Sequence, residues 1–401
     1  MPRSTYVLAL GIFAMVTSEF AVAGLMPQLA AGLHVTVPQV GYLITAYAVA
    51  MALGGPLVSA AVLRLRARTA LVVLSAVFLA GNVLAAAAPT YPVMVVARIV
   101  TGATAQAYFG VAVSLAVRLA RPELRGRAVA VVMNGLMLGT LLGLPLATLV
   151  GERFGWRAAF GAVGILTVLA AAVTGRAVPN IAYADADGVP LRRRLAVFTR
   201  PRLWLTLSTS TFVIGATFAA FSYLNPILTG VTGFRPSTVP LLLIAYGAAT
   251  VLGNTVVGRL ADRYAVPVVA SGLALNLAFL VGFALFARHA PVAVACLLGI
   301  GLVGVTMNPA LATRVQRAGD TGPLVNTVHS SFITGGVVVG SSLGGLVIAG
   351  AGLLGTLWLG AALAAVGLLT LVPGLRRTAA AAASEPSRQP CPATSPGTEA
   401  A

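Results

Sequence analysis

The sequence has few charged residues. Asp, Glu, Lys and Arg make up 9% of its 401 residues, whereas about 25% is usual in a soluble globular domain. A chain with so little charge cannot form a water-soluble surface, which excludes a soluble enzyme, a secreted disulfide scaffold and a disordered chain. The apolar fraction of 58% and the mean hydropathy of +0.96 indicate an integral membrane protein instead.

Lysine is absent and cysteine is rare. All 26 basic residues are arginine, and the 9 acidic residues leave a formal net charge of +17. The arginines lie in short clusters between apolar runs rather than in one polar domain, so we expect no nucleic-acid partner. Cys296 and Cys391 offer neither a disulfide framework nor a metal-ligand spacing.

The sequence also lacks the motifs of catalysis and nucleotide binding. It has no phosphate-binding glycine loop, no HExxH or CxxC sequence and no catalytic-triad pattern. We therefore expect no enzymatic activity, no cofactor, no metal site and no direct use of ATP.

Long apolar runs, by contrast, fill most of the chain. A membrane span needs about 20 mostly apolar residues, and the runs predict an all-α membrane protein with twelve spans. The predicted helices lie near residues 6–28, 39–63, 70–88, 92–117, 128–150, 158–175, 203–229, 238–258, 266–287, 291–313, 323–349 and 353–374.

The arginines indicate how the spans are oriented. With a cytoplasmic N-terminus, 21 of the 26 arginines fall in the inner segments, 4 fall in the outer loops and Arg98 falls inside a span. Membrane proteins carry their excess of basic residues on the cytoplasmic side. The distribution therefore predicts a multi-pass protein of the cytoplasmic (inner) membrane with both termini in the cytoplasm.

A polar segment and a repeat divide the chain in two. Residues 177–202 are polar, and Tyr47–Gly54 (YAVAMALG) aligns with Tyr246–Gly253 (YGAATVLG). Two parallel halves are typical of one large class of secondary transporters. We predict an N-terminal six-helix half (1–176), a cytoplasmic central loop (177–202), a C-terminal six-helix half (203–376) and a disordered cytoplasmic tail (377–401).

Glu19 is the one acidic residue well inside a predicted span. A carboxylate at that depth costs about 2.5–3.5 kcal/mol, so the side chain should face water, find a partner or take up a proton. Burial favours the neutral form, and a change to wet surroundings favours release of the proton. We predict that Glu19 couples transport to protons; the alternative is a permanently neutral carboxyl bonded to a neighbouring helix.

Arg98 is the predicted partner of Glu19. It lies six residues into the fourth span, roughly 9 Å from the outer end, and Glu19 lies roughly 12 Å from the outer end of its own span. The similar depths favour a buried pair. The alternative is an arginine whose long side chain reaches back to the membrane surface.

Other residues are candidates for helix movement and for substrate binding. Gly139, Gly143 and Pro145 leave a stripe of the fifth span that another helix can approach closely, and the proline permits a bend. For the polar and aromatic residues within spans, the alternatives are an amphipathic substrate's pocket or an interhelical hydrogen bond. For His329, near a membrane boundary, the alternatives are a proton relay and a solvated side chain, and the position favours the second. The substrate-pocket candidates are Gln106, Tyr108, Asn134, Tyr223, Asn225 and Asn308.

These motifs resemble those of the major facilitator superfamily, and more narrowly its twelve-span drug:proton antiporters, which include bacterial chloramphenicol exporters and arabinose-efflux-like permeases. The resemblance covers residues 5–376. It implies proton transfer for Glu19 in TSEFAVAGLMP and for Arg98 in ARIVTGATAQAYFG. The fifth-span residues followed by GWRAAF resemble the antiporter motif, and GRLADRY resembles a loop motif that includes Gly258, Asp262 and Arg263.

One departure from the family pattern lies in the first half. There the loop motif has Ser59 and Leu63 in place of its Gly and Asp, while Arg64 is retained. The resemblance as a whole implies the major facilitator fold, with two pseudo-symmetric halves.

The leading hypothesis is a monomeric, proton-driven exporter of a small amphipathic compound, with chloramphenicol as one substrate to test. Its partners would be the substrate, protons and the lipid bilayer, and its halves would alternate in access. A sugar or metabolite permease of the same fold is one alternative, although few hydrogen-bonding groups line the spans. A non-transporting membrane receptor or assembly subunit is the alternative from another class.

Overall fold

The structure is a computed structural model that describes residues 3–62, 65–121, 125–181, 199–319 and 323–383. Within these ranges the description leaves out the side chains at positions 3, 125–127, 129–130, 262–263, 323–324, 326–327 and 374–383. All regular secondary structure in the described residues is helical, which confirms the predicted fold class.

Twelve helical segments of the described chain are long and apolar enough to cross a membrane, as predicted. An even number places the start of the first of these spans and the end of the last on one side of the bilayer. We call it the terminal side, and the other the opposite side. Numbered in chain order, the spans are Ser4–Gly24, Val37–Val62, Ala67–Ala87, Tyr91–Leu119, Val131–Phe154, Trp156–Ala177, Pro201–Gly230, Pro236–Ala261, Tyr264–Phe286, Ala290–Ala318, Val328–Ala351 and Leu354–Pro373.

Spans 2 and 10 each contain an interruption of the α-helix. The π turn Ala50–Gly54 joins the two α-helical parts of span 2, Val37–Val49 and Gly55–Val62. Span 10 consists of Ala290–Val303, a 3₁₀ turn at Val305–Met307 and Asn308–Ala318. Such local changes of helix type mark functional positions in many proteins.

Other helices differ in length from the spans that they form. Span 7 is Pro201–Phe221 followed by Leu224–Gly230, and a short helix, Met26–Gly32, follows span 1. Spans 8 and 9 lie in one helical stretch, Val239–Phe286, with non-helical backbone at Tyr264. The helices of spans 5, 11 and 12 extend over Arg125–Phe154, Pro323–Ala351 and Leu354–Ala383.

Local sequence explains where some of these helices begin. Thr36 caps span 2 by accepting the backbone N–H of Gln39, and the Gln39 side chain accepts the backbone N–H of Thr36 at 2.8 Å. This reciprocal arrangement satisfies two N–H groups that a helix start leaves free. Gly155, with φ of 83°, makes the tight connection between spans 5 and 6, a conformation that favours glycine.

The glycine stripe of span 5 packs against span 1. A Cβ atom added at Gly139 would lie 2.7 Å from Val16 Cβ, and one added at Gly143 would lie 2.8 Å from Thr17 Cα. Pro145 lies in the same helix, two residues further on. The two backbones therefore approach as closely as the glycine spacing predicts, and the partner of the stripe is the span that carries Glu19.

The last helix continues beyond the predicted start of the disordered tail. Residues 377–383 belong to the helix Leu354–Ala383. They consist of Arg377, Thr378 and five alanines, and alanine has the highest helix propensity. Residues 182–198 of the predicted central loop, residues 384–401 of the predicted tail, and Leu63 and Arg64 lie outside the described residues.

Candidate functional site

A cavity of about 540 Å³ lies between the N-terminal and C-terminal halves. Its N-terminal wall comprises Ile12, Met15, Val16, Glu19, Met51, Ala105, Gln106, Phe109, Met133, Leu136 and Met137. Its C-terminal wall comprises Asn254, Asn308, Pro309, Ala312, His329, Ser330, Ile333 and Thr334. The residues of the C-terminal wall lie in the halves of spans 8, 10 and 11 that are nearer the terminal side.

An aromatic layer separates this cavity from the opposite side. It consists of Phe20, Phe218, Phe221 and Tyr246. The ring centroid of Phe20 lies 6.5 Å from that of Phe218 and 5.5 Å from that of Phe221, and Phe221 lies 5.4 Å from Tyr246. Because Phe20 belongs to span 1 and the other rings belong to spans 7 and 8, the layer joins the two halves.

Polar contacts also join the halves near the opposite side. Asn225 Nδ2 donates to the Gly24 carbonyl, and Thr45 Oγ1 lies 2.8 Å from Ser341 Oγ. The Tyr223 hydroxyl donates to the Ser341 carbonyl at 2.7 Å. The candidates Tyr223 and Asn225 are therefore buried in a closed interface on the opposite side and do not line the cavity.

Glu19 lines the cavity at the boundary with the aromatic layer. It precedes Phe20 in the chain and is partly exposed. It also lines a much smaller space with Tyr47 and Phe221. It is the one acidic residue among the cavity-lining residues of the described chain. The carboxyl is thus placed where water can reach it from the cavity.

Arg98 is buried beside Glu19, with an exposed fraction of 1%. Its Nη1 donates to the Ser18 carbonyl at 2.9 Å and its Nη2 donates to the Glu19 carbonyl at 3.2 Å. The guanidinium carbon lies 4.1 Å from the centre of the Tyr47 ring, a cation–π distance. The matched depths thus predict the right neighbour, but Arg98 binds the backbone of span 1 rather than the Glu19 carboxylate.

The structure brings some of the predicted substrate residues together and separates others. Gln106 and Asn308 face each other across the cavity with Glu19. Tyr108 is fully buried, and its ring lies against Gly11 of span 1. Asn134 is exposed on span 5 and is not among the residues that line the cavity.

His329 differs from the sequence expectation. Its exposed fraction is 5%, and its Nε2 lies 3.0 Å from Ser210 Oγ. The expectation of a solvated histidine is wrong, because span 7 covers one side of the ring while the residue lines the cavity on the other.

The residues of the loop motif follow Asn254 along the helix of span 8 and are not among the described residues that line the cavity. Gly258 is exposed near the end of the span, and Asp262 and Arg263 precede the break in helical backbone at Tyr264. The side chains of Asp262 and Arg263 lie outside the described part of the chain.

Four methionines and Asn254 also line the cavity, although no sequence pattern singles them out. The methionines belong to spans 1, 2 and 5. Their spans are apolar around most of the helix circumference, so the sequence does not show which face meets the cavity. The spacing of Met133 and Met137, four residues apart, is the available signal, since such residues share a helix face.

Comparison with known sequences gives consistent relatives. The sequence profile of the Major Facilitator Superfamily matches residues 8–319 and 207–396. A chloramphenicol resistance protein of Streptomyces lividans is 35% identical over 381 residues, which cover 93% of this chain and 96% of the relative. The inner membrane transport protein YdhP of Escherichia coli K12 is 32% identical and covers 92% of this chain and 95% of the relative.

Solved structures share the fold at low sequence identity. A bacterial homologue of the human lysosomal transporter Spinster, in an inward-facing and occupied conformation, has a TM-score of 0.74 and 13% identity, covering 93% of this chain and 96% of its own. The human organic anion transporter MFSD10 (TETRAN) has a TM-score of 0.67 and 15% identity, and the match covers 92% of this chain and 100% of the transporter's chain. These similarities support the twelve-span architecture.

Proposed function

The chain belongs to the Major Facilitator Superfamily, and from that premise we propose that it exports small amphipathic compounds in exchange for protons. The family makes the protein a multi-pass membrane transporter, which argues against the alternative of a non-transporting receptor or assembly subunit. The chloramphenicol resistance protein among its relatives supports chloramphenicol as a substrate to test.

The position of Glu19 carries this proposal. The side chain lies inside a membrane span, lines the cavity and adjoins the aromatic layer that closes the opposite side. A carboxyl held between wet and dry surroundings can bind a proton in one conformation and release it in the other. Substrate and proton would then use the same cavity in turn.

The same arrangement supports alternating access. The halves are in contact on the opposite side and are separated by the cavity towards the terminal side. Export requires the aromatic layer and the polar contacts to open while the terminal side closes. Arg98 would hold the backbone at Ser18 and Glu19 in place during this movement.

We propose a cytoplasmic location for the terminal side. The arginine distribution favours this orientation by the positive-inside rule. The cavity would then face the cytoplasm in the described conformation and would receive compounds from the cell interior or the inner leaflet. The protein would act as a monomer in the cytoplasmic membrane.

Replacing Glu19 by Gln tests proton coupling. Because Gln keeps the shape of the side chain but cannot exchange a proton, we expect gradient-driven chloramphenicol efflux from cells to fall at least tenfold. The variant should remain in the membrane at the level of the unmodified protein. Efflux and proton release should both be measured in a host without its own drug pumps and in reconstituted vesicles.

The matched control is Glu152→Gln, the same change at an acid near the opposite-side end of span 5. Its efflux should equal that of the unmodified protein. Full gradient-driven transport by Glu19→Gln, with the control also active, would show that the proton uses another residue.

A further inference from the structure

The two walls of the cavity differ in chemistry. The N-terminal wall is mostly apolar, with four methionines, Phe109 and aliphatic side chains around Glu19 and Gln106. Five of the eight residues in the C-terminal wall are polar: Asn254, Asn308, His329, Ser330 and Thr334. A compound that spans the cavity therefore meets an apolar surface on one side and hydrogen-bonding groups on the other.

The methionines give the N-terminal wall a deformable surface. Met15 and Met51 come from spans 1 and 2, while Met133 and Met137 lie one turn apart on span 5. Thioether side chains are flexible and polarizable, and they contact aromatic rings favourably, by about 0.3–1.5 kcal/mol per pair. This wall suits the aromatic or apolar body of a substrate.

On the C-terminal wall, two polar residues already have partners. His329 is paired with Ser210 through Nε2, and the Thr334 hydroxyl donates to the Ser330 carbonyl of its own helix at 3.0 Å. These contacts reduce what either residue can offer to a ligand.

The two asparagines of that wall have unused hydrogen-bonding capacity. Asn308 Oδ1 is buried without a hydrogen-bond partner among the described residues. Asn254 Nδ2 donates to Met137 Sδ at 3.5 Å, and a thioether is a weak acceptor. A buried acceptor without a partner loses about 1–3 kcal/mol, which a donor supplied by a ligand would recover.

The two asparagines also lie close to each other. Both line a second, smaller space that continues from the cavity between spans 5, 8 and 10, together with Leu136 and Met137. Asn308 directly follows the 3₁₀ turn Val305–Met307 and begins the last helix of span 10. The interruption of span 10 therefore places the start of a helix, with Asn308, at the cavity.

We propose that the cavity binds an uncharged amphipathic compound in one orientation, with its aromatic body on the methionines of the N-terminal wall and a hydroxyl at its other end donating to Asn308 and Asn254. This inference rests on the proposed function only in taking the cavity as the substrate site. It adds that the substrate is uncharged and donates a hydrogen bond from a hydroxyl, and it names the residues that would select it.

Thiamphenicol and florfenicol form a suitable pair of probes. They share an aryl ring and an amide, and they differ in that a terminal hydroxyl of thiamphenicol is a fluorine in florfenicol. Their dissociation constants should be measured on the intact purified protein in lipid nanodiscs, without any gradient. The readout is the florfenicol-to-thiamphenicol ratio of dissociation constants, because general effects on folding or apolar binding change both values alike.

The expected results separate the two walls. Asn308→Ala should lower this ratio about five- to tenfold, since only thiamphenicol loses a hydrogen bond. Asn254→Ala should lower it in the same direction and provides a second variant. Met133→Ala should weaken both probes and leave the ratio unchanged. Thr255→Ala, one residue from Asn254 and exposed away from the cavity, should change neither value.

Other outcomes would overturn the assignment. An unchanged ratio in both asparagine variants, or a ratio that falls only in Glu19→Gln, would place the hydroxyl elsewhere. Failure of the unmodified protein to bind either probe would equally count against the proposal. If the probes bind with the expected pattern but the protein shows no proton-driven efflux, the binding site is supported. That result would contradict only the proposed proton coupling.

Discussion

Glu19 and Arg98 are neighbours whose side chains serve different purposes. The Arg98 guanidinium is occupied by two backbone carbonyls and the Tyr47 ring, while the Glu19 side chain lines the cavity. A direct ion pair would hold the carboxylate in its charged form. In the proposed mechanism, Arg98 binds the backbone instead, so that it would fix the position of Glu19 and leave its carboxyl able to exchange a proton with water.

Arg98→Lys is expected to reduce gradient-driven efflux at least tenfold. Lysine keeps the charge, but one ammonium group cannot reproduce a planar guanidinium that bridges two carbonyls and stacks on a ring. Efflux should be measured in vesicles alongside the amount of folded protein.

Arg157→Lys is a matched control for that change. Arg157 also stacks on an aromatic ring, with 4.1 Å to the Trp156 centre, and donates to the Ala88 carbonyl at 3.2 Å, but it lies at the membrane boundary. Efflux equal to that of the unmodified protein is expected for it. Normal efflux by Arg98→Lys would mean that charge alone suffices at position 98.

At the scale of the elements, the contact between spans 1 and 5 controls how Glu19 is held. The backbone of span 5 lies against Val16 and Thr17 through Gly139 and Gly143. A side chain at either position would separate the two helices. The span that carries Glu19 is therefore packed, at Val16 and Thr17, against the glycines of span 5.

Gly143→Val is expected to destabilise the protein by about 1–3 kcal/mol, as overpacking does in tight interiors. The new side chain would collide with the Thr17 backbone, 2.8 Å from the first added atom. Thermal unfolding of the purified protein should show a lower midpoint and efflux should fall. Gly161→Val, the same change at a position where an added Cβ meets no atom within 4 Å, should lower neither; an equal loss of stability in the two variants would contradict the packing argument.

The sequence is sufficient to predict the spans but not the details within them. Each span is a run of about 20 apolar residues, so the number and the order of the spans follow from the lengths of the apolar runs. The π turn in span 2 and the 3₁₀ turn in span 10 have no comparable signal, because their residues suit an α-helix too. The spacing of the glycines in span 5 was enough to predict that another helix packs closely against it. Identifying span 1 as that helix required the structure.

The sequence predicts those residues of the candidate site whose type is rare inside a membrane span. Glu19 and Arg98 stand out because charge is costly in a span. Gln106 and Asn308 are two of several polar residues, and the sequence does not separate them from Tyr223 and Asn225, which lie in the closed interface. Which face of an apolar helix meets the cavity depends on tertiary packing and cannot be read from composition.

At the scale of the whole molecule, the proposed alternating access requires the contacts on the opposite side to break in every cycle. Thr45 of span 2 and Ser341 of span 11 lie 2.8 Å apart through their hydroxyls, and the aromatic layer lies deeper. The distance between Thr45 and Ser341 therefore shows whether the two halves separate on the opposite side.

A disulfide between Thr45→Cys and Ser341→Cys should stop transport. The pair should be introduced into a chain with Cys296 and Cys391 replaced by serine. Oxidation should then reduce efflux to background and reduction should restore it, because a locked opposite side cannot release substrate. Each single cysteine variant is the control. Efflux that persists in fully cross-linked protein would exclude opening at this interface.

The π turn of span 2 has a consequence for how this helix tolerates change. The turn ends at Gly54 and the next α-helical part begins at Gly55; these two glycines face Ala103 and Gln106 of span 4. A π turn holds one residue more than an α-helical turn, because its N–H groups bond to the carbonyl five residues back. Loss of one residue from positions 50–53 would therefore let the segment close into a regular α-helix, and Gly54 and Gly55 would keep their places against span 4. The same deletion in a regular part of the helix would rotate everything beyond it by about 100°.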